Sequence, residues 1–260
     1  MAYAVPIQAG WLINSLFQGH TEYGQKTRPA YRADLALSED GKRIRVPGLV
    51  VDRIDVVDVA PNLGAIASEE QSPRALERQR RQVTKLLAKW EALALGCAAN
   101  PYRQQPGGKH EAFWRVVATN GLRGQGFNLM YPSTGQAKRF GWAKAYGNFT
   151  DPSGLGTLSQ RLTKEEMEEM DRYGTAVIRN TTSRALVVTK GGFLGLGPQS
   201  VQQGDLLCLL RGGRVPFVLR AHADGTYRLV GDCYVQGLME GEHFGRGKVQ
   251  RDDIQTFELC

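Results

Sequence analysis

Hydrophobic positions follow two different periods along this chain. Between residues 72 and 95, Leu76, Val83, Leu86, Leu87, Trp90, Leu93 and Ala94 recur at the spacing of one helix face. Ser72 stands where an N-cap accepts from the first turn, Pro73 suits the first helical position, and Gly96 closes the end. A second helix is predicted over Lys109 to Asn120, stopped by Asn120-Gly121. A third opens at Thr163, where Glu166 completes a capping box. From Ala176 onward the period shortens. TAVIRN, RALVVT, GFLGLG, DLLCLLRG, VPFVLRAH and TYRLVGDCYVQGLM read as successive strands between Gly-, Asp- and Pro-rich loops. Leu207, Leu209, Phe217, Leu219, Leu229 and Val235 are the expected inward positions of that block.

The N-terminal part is less regular. Ala9 to Phe17 is read as a short helix. LALSEDGKRIRV holds an Asp40-Gly41 hairpin turn, and VPGLVVDRIDVVDV follows with Leu49, Val51, Ile54 and Val56 inward. Residues 121–160 are rich in glycine and aromatics and carry no clear period, as binding loops often do. The tail EHFGRGKVQRDDIQTFELC is polar until Ile254 and Phe257. The predicted fold class is α+β: a mainly antiparallel, barrel-like sheet with about three packed helices. One domain over residues 1–260 is expected. Residues 1–175 would hold the strand pair, the helices and the aromatic segment, and residues 176–245 the strand block.

Composition narrows the function classes. At 42% hydrophobic and 23% charged, this is an ordinary globular chain with no apolar run long enough to span a membrane. The N-terminus has no basic segment ahead of its apolar stretch, so no secretory signal is expected. Cys97, Cys208, Cys233 and Cys260 form no CxxC pair, and a reduced, cytoplasmic setting with Cys208 and Cys233 as core residues is expected. The formal charge is +7, but the basic residues are spread out. The main cluster, Arg78, Arg80 and Arg81, lies on a helix with acidic neighbours and is read as solvated surface, so no nucleic-acid partner is expected. No P-loop, GxGxxG-to-helix turn, GxSxG elbow or HExxH is present, and His20, His110, His222 and His243 are scattered. Neither a cofactor nor a metal is expected.

The strand block carries a more specific signal. Gly192 to Pro198, Gly204-Asp205 with Cys208, Pro216 to Arg220, and Gly231 to Glu242 occur in an order and spacing that resemble the C-terminal region of fungal heterokaryon incompatibility (HET) proteins. Upstream, GKRIRVPGLVVDRIDVV and EAFWRVV (Glu111 to Val117) resemble other parts of the same proteins, while residues 121–160 have no counterpart. Two departures stand out. Gln236 occupies a position where the family often has His, and the N-terminal HET domain, similar to TIR-type signalling modules, has no counterpart, so a stand-alone region is expected. The same motifs have a structural reading. Gly195 and Gly197 are expected to allow tight strand turns, Gly204-Asp205 and Asp224-Gly225 mark turns, and Arg220 is expected to pair with Asp205 or Asp232.

The resemblance implies either a repurposed scaffold or a regulatory module. The first expectation is a cofactor-independent cyclase, a pericyclase of Diels–Alderase type acting on an apolar terpenoid or polyketide in fungal secondary metabolism. Gln236 and Tyr131 are its expected catalytic hydrogen-bond donors, and Trp114, Arg115, Trp142 and Tyr146 its substrate-binding walls. The second expectation is a non-catalytic interaction module in heterokaryon incompatibility, with a HET-domain protein as partner.

Overall fold

A computed structural model describes residues 36–61 (40 apart), 72–119 (106 apart), 122–123, 129–130, 144–239 (212 and 214 apart) and 253–260. The short helix read over Ala9 to Phe17 lies outside the described residues.

The strand β1, Ala36–Leu37, turns through Gly41 (φ 66°) into β2, Ile44–Val59. Their register pairs Ala36 with Arg45 and Leu37 with Ile44, as the hairpin signal predicts. The predicted second strand is no separate element, because β2 runs unbroken for 16 residues. Helix α1, Pro73–Gly96, follows, with Ser72 Oγ accepting from the Ala75 amide at 3.2 Å. Gly96 stays helical instead of turning left-handed. The end is held by Lys109 Nζ, which donates to the carbonyls of Cys97 and Ala99 at 2.6 Å each. Helix α2, Gly108–Val117, stops three residues short of its predicted end, and Thr119 turns left-handed beyond it (φ 49°). The short strands β3 (Leu122–Arg123) and β4 (Leu129–Met130) pair with each other. Residues 144–150 form α3, Leu155–Arg161 forms α4, and Lys164–Thr181 forms α5 with the predicted Thr163–Glu166 capping box.

Five helices among the described residues thus exceed the three predicted. The segment TAVIRN belongs to α5 and not to the strand block. Met170, Tyr173, Val177 and Thr181 are buried at helical spacing, and that face overrides the β-branched composition. Seven further strands follow: β5 (Arg184–Thr189), β6 (Leu194–Pro198), β7 (Leu206–Leu210), β8 (Phe217–Ala221), β9 (Tyr227–Asp232), β10 (Tyr234–Val235) and β11 (Ile254–Leu259).

The strands close a ring. β2 pairs with β11 through its first half and with β7 through its middle; β7 pairs with β8, β8 with β9, and β9 meets β11 in parallel at Tyr227 and Leu259. All five strands send side chains into one core, including Val46, Cys208, Leu219, Tyr227 and Phe257. Gly48 lets this happen. A Cβ there would lie 2.7 Å from the Leu209 carbonyl oxygen and 3.0 Å from the Phe257 ring. Past register shifts at Val50/Asp52 and Ile54/Val56, β2 leaves the ring and pairs with β5, which continues through β6 to β10. The fold is therefore a mixed α/β barrel-like sheet, antiparallel except at the β9–β11 contact.

β5 explains its own apolar sequence. Leu186 and Val188 pack with the helices, whereas Ala185 and Val187 join a second core with Ile54, Leu207, Val218 and Val235. A strand covered on both faces needs no polar side. Of the positions expected inside, Leu207, Leu209, Leu219 and Val235 are buried, and Phe217 and Leu229 are half-buried.

Asp205 anchors the turn before β7. It is 3% exposed, accepts from Arg220 Nε at 2.8 Å and Nη2 at 2.9 Å, and accepts from the Gln202 amide at 2.8 Å. Asp232, the other expected partner of Arg220, pairs with Arg184 instead at 3.0 Å. Asp205→Ala strands a guanidinium and an amide. We expect it to cost about 2–3 kcal/mol, below the range for a fully buried pair because Arg220 keeps contact with water. Urea unfolding measures this, and Arg220→Lys, which keeps the charge but loses the fork, should cost less.

Candidate functional site

The candidate site residues fall into two hydrogen-bonded groups. The first lies at the β6–β10 edge. Gln236 follows β10, and its amide donates to the Leu194 carbonyl at 3.0 Å. Tyr102, from the loop between α1 and α2, is 1% exposed and reads the same two residues: its hydroxyl donates to the Gln236 carbonyl at 3.1 Å and accepts from the Leu194 amide at 2.8 Å. Burial pushes the Tyr102 phenol well above its usual range. Gly195 permits the edge pairing, since a Cβ there would run into the Tyr234 carbonyl. Tyr234 then donates its hydroxyl to Gln236 Oε1 at 2.8 Å. With its carbonyl end held, the half-buried Gln236 side chain keeps its NH2 as a neutral donor.

The second group lies among the helices. Trp114, on α2, is 6% exposed, and its backbone carbonyl accepts from the Tyr173 hydroxyl at 3.1 Å. The Arg115 guanidinium carbon stands 5.2 Å from the Trp114 ring centroid, within cation–π range, while Arg115 Nε and Nη2 hold Glu111 Oε1 at 2.9 and 2.8 Å. Tyr146, on α3, packs edge-on against Phe113 and Tyr173, and Phe149 against Tyr173. The Tyr146 hydroxyl donates to Glu91 Oε2 at 2.9 Å, and His110 Nε2 lies 3.2 Å from Glu91 Oε1. Burial first, and the Glu91 carboxylate second, raise the Tyr146 phenol. Trp114 and Arg115 thus stand together on α2, Tyr146 packs instead on Phe113 and Tyr173, and Gln236 sits in the sheet-edge network. Tyr131 and Trp142 lie outside the described residues.

The sequence does not single out Glu91, Tyr102 or Tyr173, and it offers His110 only as one of four scattered histidines. One signal was available for Glu91: it follows Leu87 by four residues and Trp90 by one, a carboxylate next to an apolar stripe. Tyr102 gave none, because its partners lie 92 and 134 residues away in sequence. Among the described residues there is no cluster of His, Cys, Asp or Glu with the makings of a metal site, and no helix is long and apolar enough to cross a membrane. Cys208 and Cys233 are buried, and burial pushes the Cys208 thiol up to about 12 and Cys233 higher still.

These raised values fix the alkaline behaviour. Tyr102, Tyr146 and Tyr173, with an ordinary value of 10.0, and Cys208 and Cys233, with 9.0, are all held neutral by the fold. A group raised in the folded state contributes stability that is complete below its unfolded value. That stability is lost as pH climbs from there towards the folded value. We expect unfolding free energy to fall steeply above about pH 9–10. The phenolate absorbance of the three tyrosines should appear only with unfolding, and smooth titration of all tyrosines near pH 10 in folded protein would contradict their burial.

Residues 141–254 match the family model of the Het-6 beta-barrel domain. The chain carries a HET-related C-terminal region. It is also 35% identical over 68 residues to heterokaryon incompatibility protein 6, OR allele, of Neurospora crassa, a stretch covering 25% of this chain and 10% of that protein. The chain therefore spans only a small part of the length of the curated relative it matches. No solved structure matches it. The family match begins at residue 141, so residues 141–160, for which the sequence resemblance offers no counterpart, fall within it. Ring strands β7, β8 and β9 lie in the matched span, but the ring is completed by β2 and by β11, which lie outside it apart from Ile254.

Proposed function

We propose that this HET-related chain binds an apolar small molecule and acts as a cofactor-independent cyclase, a pericyclase of Diels–Alderase type in fungal secondary metabolism. The observation that carries the reading is the Gln236 side-chain amide, whose Oε1 accepts from the Tyr234 hydroxyl so that its NH2 is left as a neutral donor, on a backbone that Tyr102 holds. Such a donor would polarise the carbonyl that activates a terpenoid- or polyketide-derived dienophile. The charge that grows on that oxygen in the transition state strengthens the hydrogen bond, which lowers the barrier. Trp114, Arg115 and Tyr146 would supply the apolar and cationic walls that hold a chain in a near-attack fold. From sequence, Tyr131 is assigned as a second hydrogen-bond donor and Trp142 to the same walls. The reaction moves electrons within one substrate, so it requires no proton acceptor, metal or nucleotide. A cytoplasmic location and a single domain over residues 1–260 go with this proposal.

The test is direct. Purified protein is incubated with uncyclised polyene intermediates in the presence of a chelator. Faster cyclisation with one stereoisomer in excess is expected, and no acceleration with any of them would count against the reading.

A second reading follows from the match to heterokaryon incompatibility protein 6: an interaction module in heterokaryon incompatibility, working with a HET-domain partner. Its signature is a change in the vegetative compatibility of strains on deletion, with metabolites unaltered.

A further inference from the structure

Two helices expose faces of opposite charge. On α1, Arg74, Arg78, Arg81, Lys85 and Lys89 are all exposed. They recur at three- and four-residue spacing and so form one stripe about 22 Å long. The neighbouring Arg80 is not part of it. Sequence reading groups it with Arg78 and Arg81 as solvated surface, but Arg80 is 5% exposed and turns inward, its Nη2 donating to the carbonyls of Asn148 and Asp151. Two members of the stripe are engaged, Arg81 with Glu77 and Lys89 with Asp58. Arg74, Arg78 and Lys85 make no ion pair among the described residues. No carboxylate on α1 opposes them, since Glu77 and Glu91 are half-buried and committed to Leu155, Arg81, Tyr146 and His110.

The first two turns of α5 are the counterpart. Glu165, Glu168, Glu169 and Asp171 are exposed there, beside Glu166. Glu166 is committed, because Lys144 and the Thr163 amide hold its carboxyl below the usual range. Glu165 and Glu168 make no ion pair among the described residues. Glu169 makes no ion pair among the described residues either, and adds only weakly to the field at Lys144.

We propose that the α1 stripe of one copy docks on the acidic start of α5 of a second copy, giving a salt-sensitive, two-fold dimer. Charge complementarity selects the occupant: each chain offers both halves of the contact, as an isologous interface requires. The stripe is longer than the acidic patch, so Arg78, Arg81 and Lys85 at its centre face Glu165, Glu168 and Glu169. The pairs lie at the surface, so the interaction weakens as the Debye length shrinks.

The full chain is examined by sedimentation velocity at about 50 mM and about 500 mM NaCl. A dimer is expected at low salt, with dissociation promoted about tenfold or more at high salt. R78E/K85E and E165K/E168K should each be monomeric at low salt, with unchanged circular dichroism. Mixing those two variants should restore a complex, because one α1–α5 contact is then rebuilt with both charges exchanged. That mixing experiment separates lost docking from lost folding. A wild-type monomer at low salt, a dimer indifferent to either double variant, or failure of the mixture to associate would overturn the proposal. So would a monomer that binds acidic lipid vesicles or nucleic acid through Arg78 and Lys85.

Discussion

Trp90→Ala should lower the unfolding free energy by about 3–5 kcal/mol. The indole is fully buried at the centre of the helical core, among Leu87, Phe113 and Val117. It also ties that core to the sheet, since its Nε1 donates at 2.7 Å to Asp58 Oδ2 on β2. Truncation therefore opens a cavity and leaves the half-buried Asp58 carboxylate with Lys89 as its remaining side-chain partner. Trp90→Phe separates the two effects. It retains much of the volume and loses the donor, and should cost about 1–2 kcal/mol. Both values are read as shifts of the urea midpoint at constant slope. A loss of well under 1 kcal/mol for Trp90→Ala would mean that α1 does not pack as described.

The second large effect concerns catalysis. If Gln236 polarises a substrate carbonyl, Gln236→Met keeps the side chain's length and removes the donor. The cyclisation rate should fall by about 10²–10³, as for loss of one oxyanion-hole donor. Stability should change little, because the Tyr102 and Leu194 contacts are to the Gln236 backbone. Tyr234→Phe releases Oε1 but leaves the amide in place, so its effect should be smaller, about tenfold. A Gln236→Met protein with undiminished rate would remove Gln236 from the catalytic machinery and leave shape alone to steer the reaction.

The helical half was readable where local signals agreed. Ser72, Thr163 and Glu166 cap the helices they announce, because a cap depends on residues within one turn. Leu76 shows where periodicity alone fails. It is 50% exposed, although it fits the apolar spacing. At that end of α1 Arg80 meets the backbone carbonyls of Asn148 and Asp151, so the polar Gln79 and Arg80 are buried there beside Ala75. Polar side chains answer polar surroundings, and nothing within the helix reveals what it will face.

The sheet was readable strand by strand but not as a ring. β11 reads as a polar tail ending in two apolar residues. Its Phe257 reaches the core only because it pairs with Val46, more than two hundred residues upstream. The double role of β2 depends on two register shifts that no local motif marks. The same limit applies to the candidate site. Trp114 and Tyr146 stand out in sequence as aromatics, but Glu91, His110 and Tyr102 gain their roles from partners on other elements. The Gln236 position came from the family resemblance, and its geometry from Tyr102 and Tyr234.

The most direct test of the proposed small-molecule role is a metabolite profile of the source fungus with the gene deleted. The account predicts loss of one cyclised product, accumulation of its linear or less cyclised precursor, and restoration by the wild-type gene but only weakly by Gln236→Met. An unchanged profile together with altered compatibility between fusing strains would contradict it and support the interaction module.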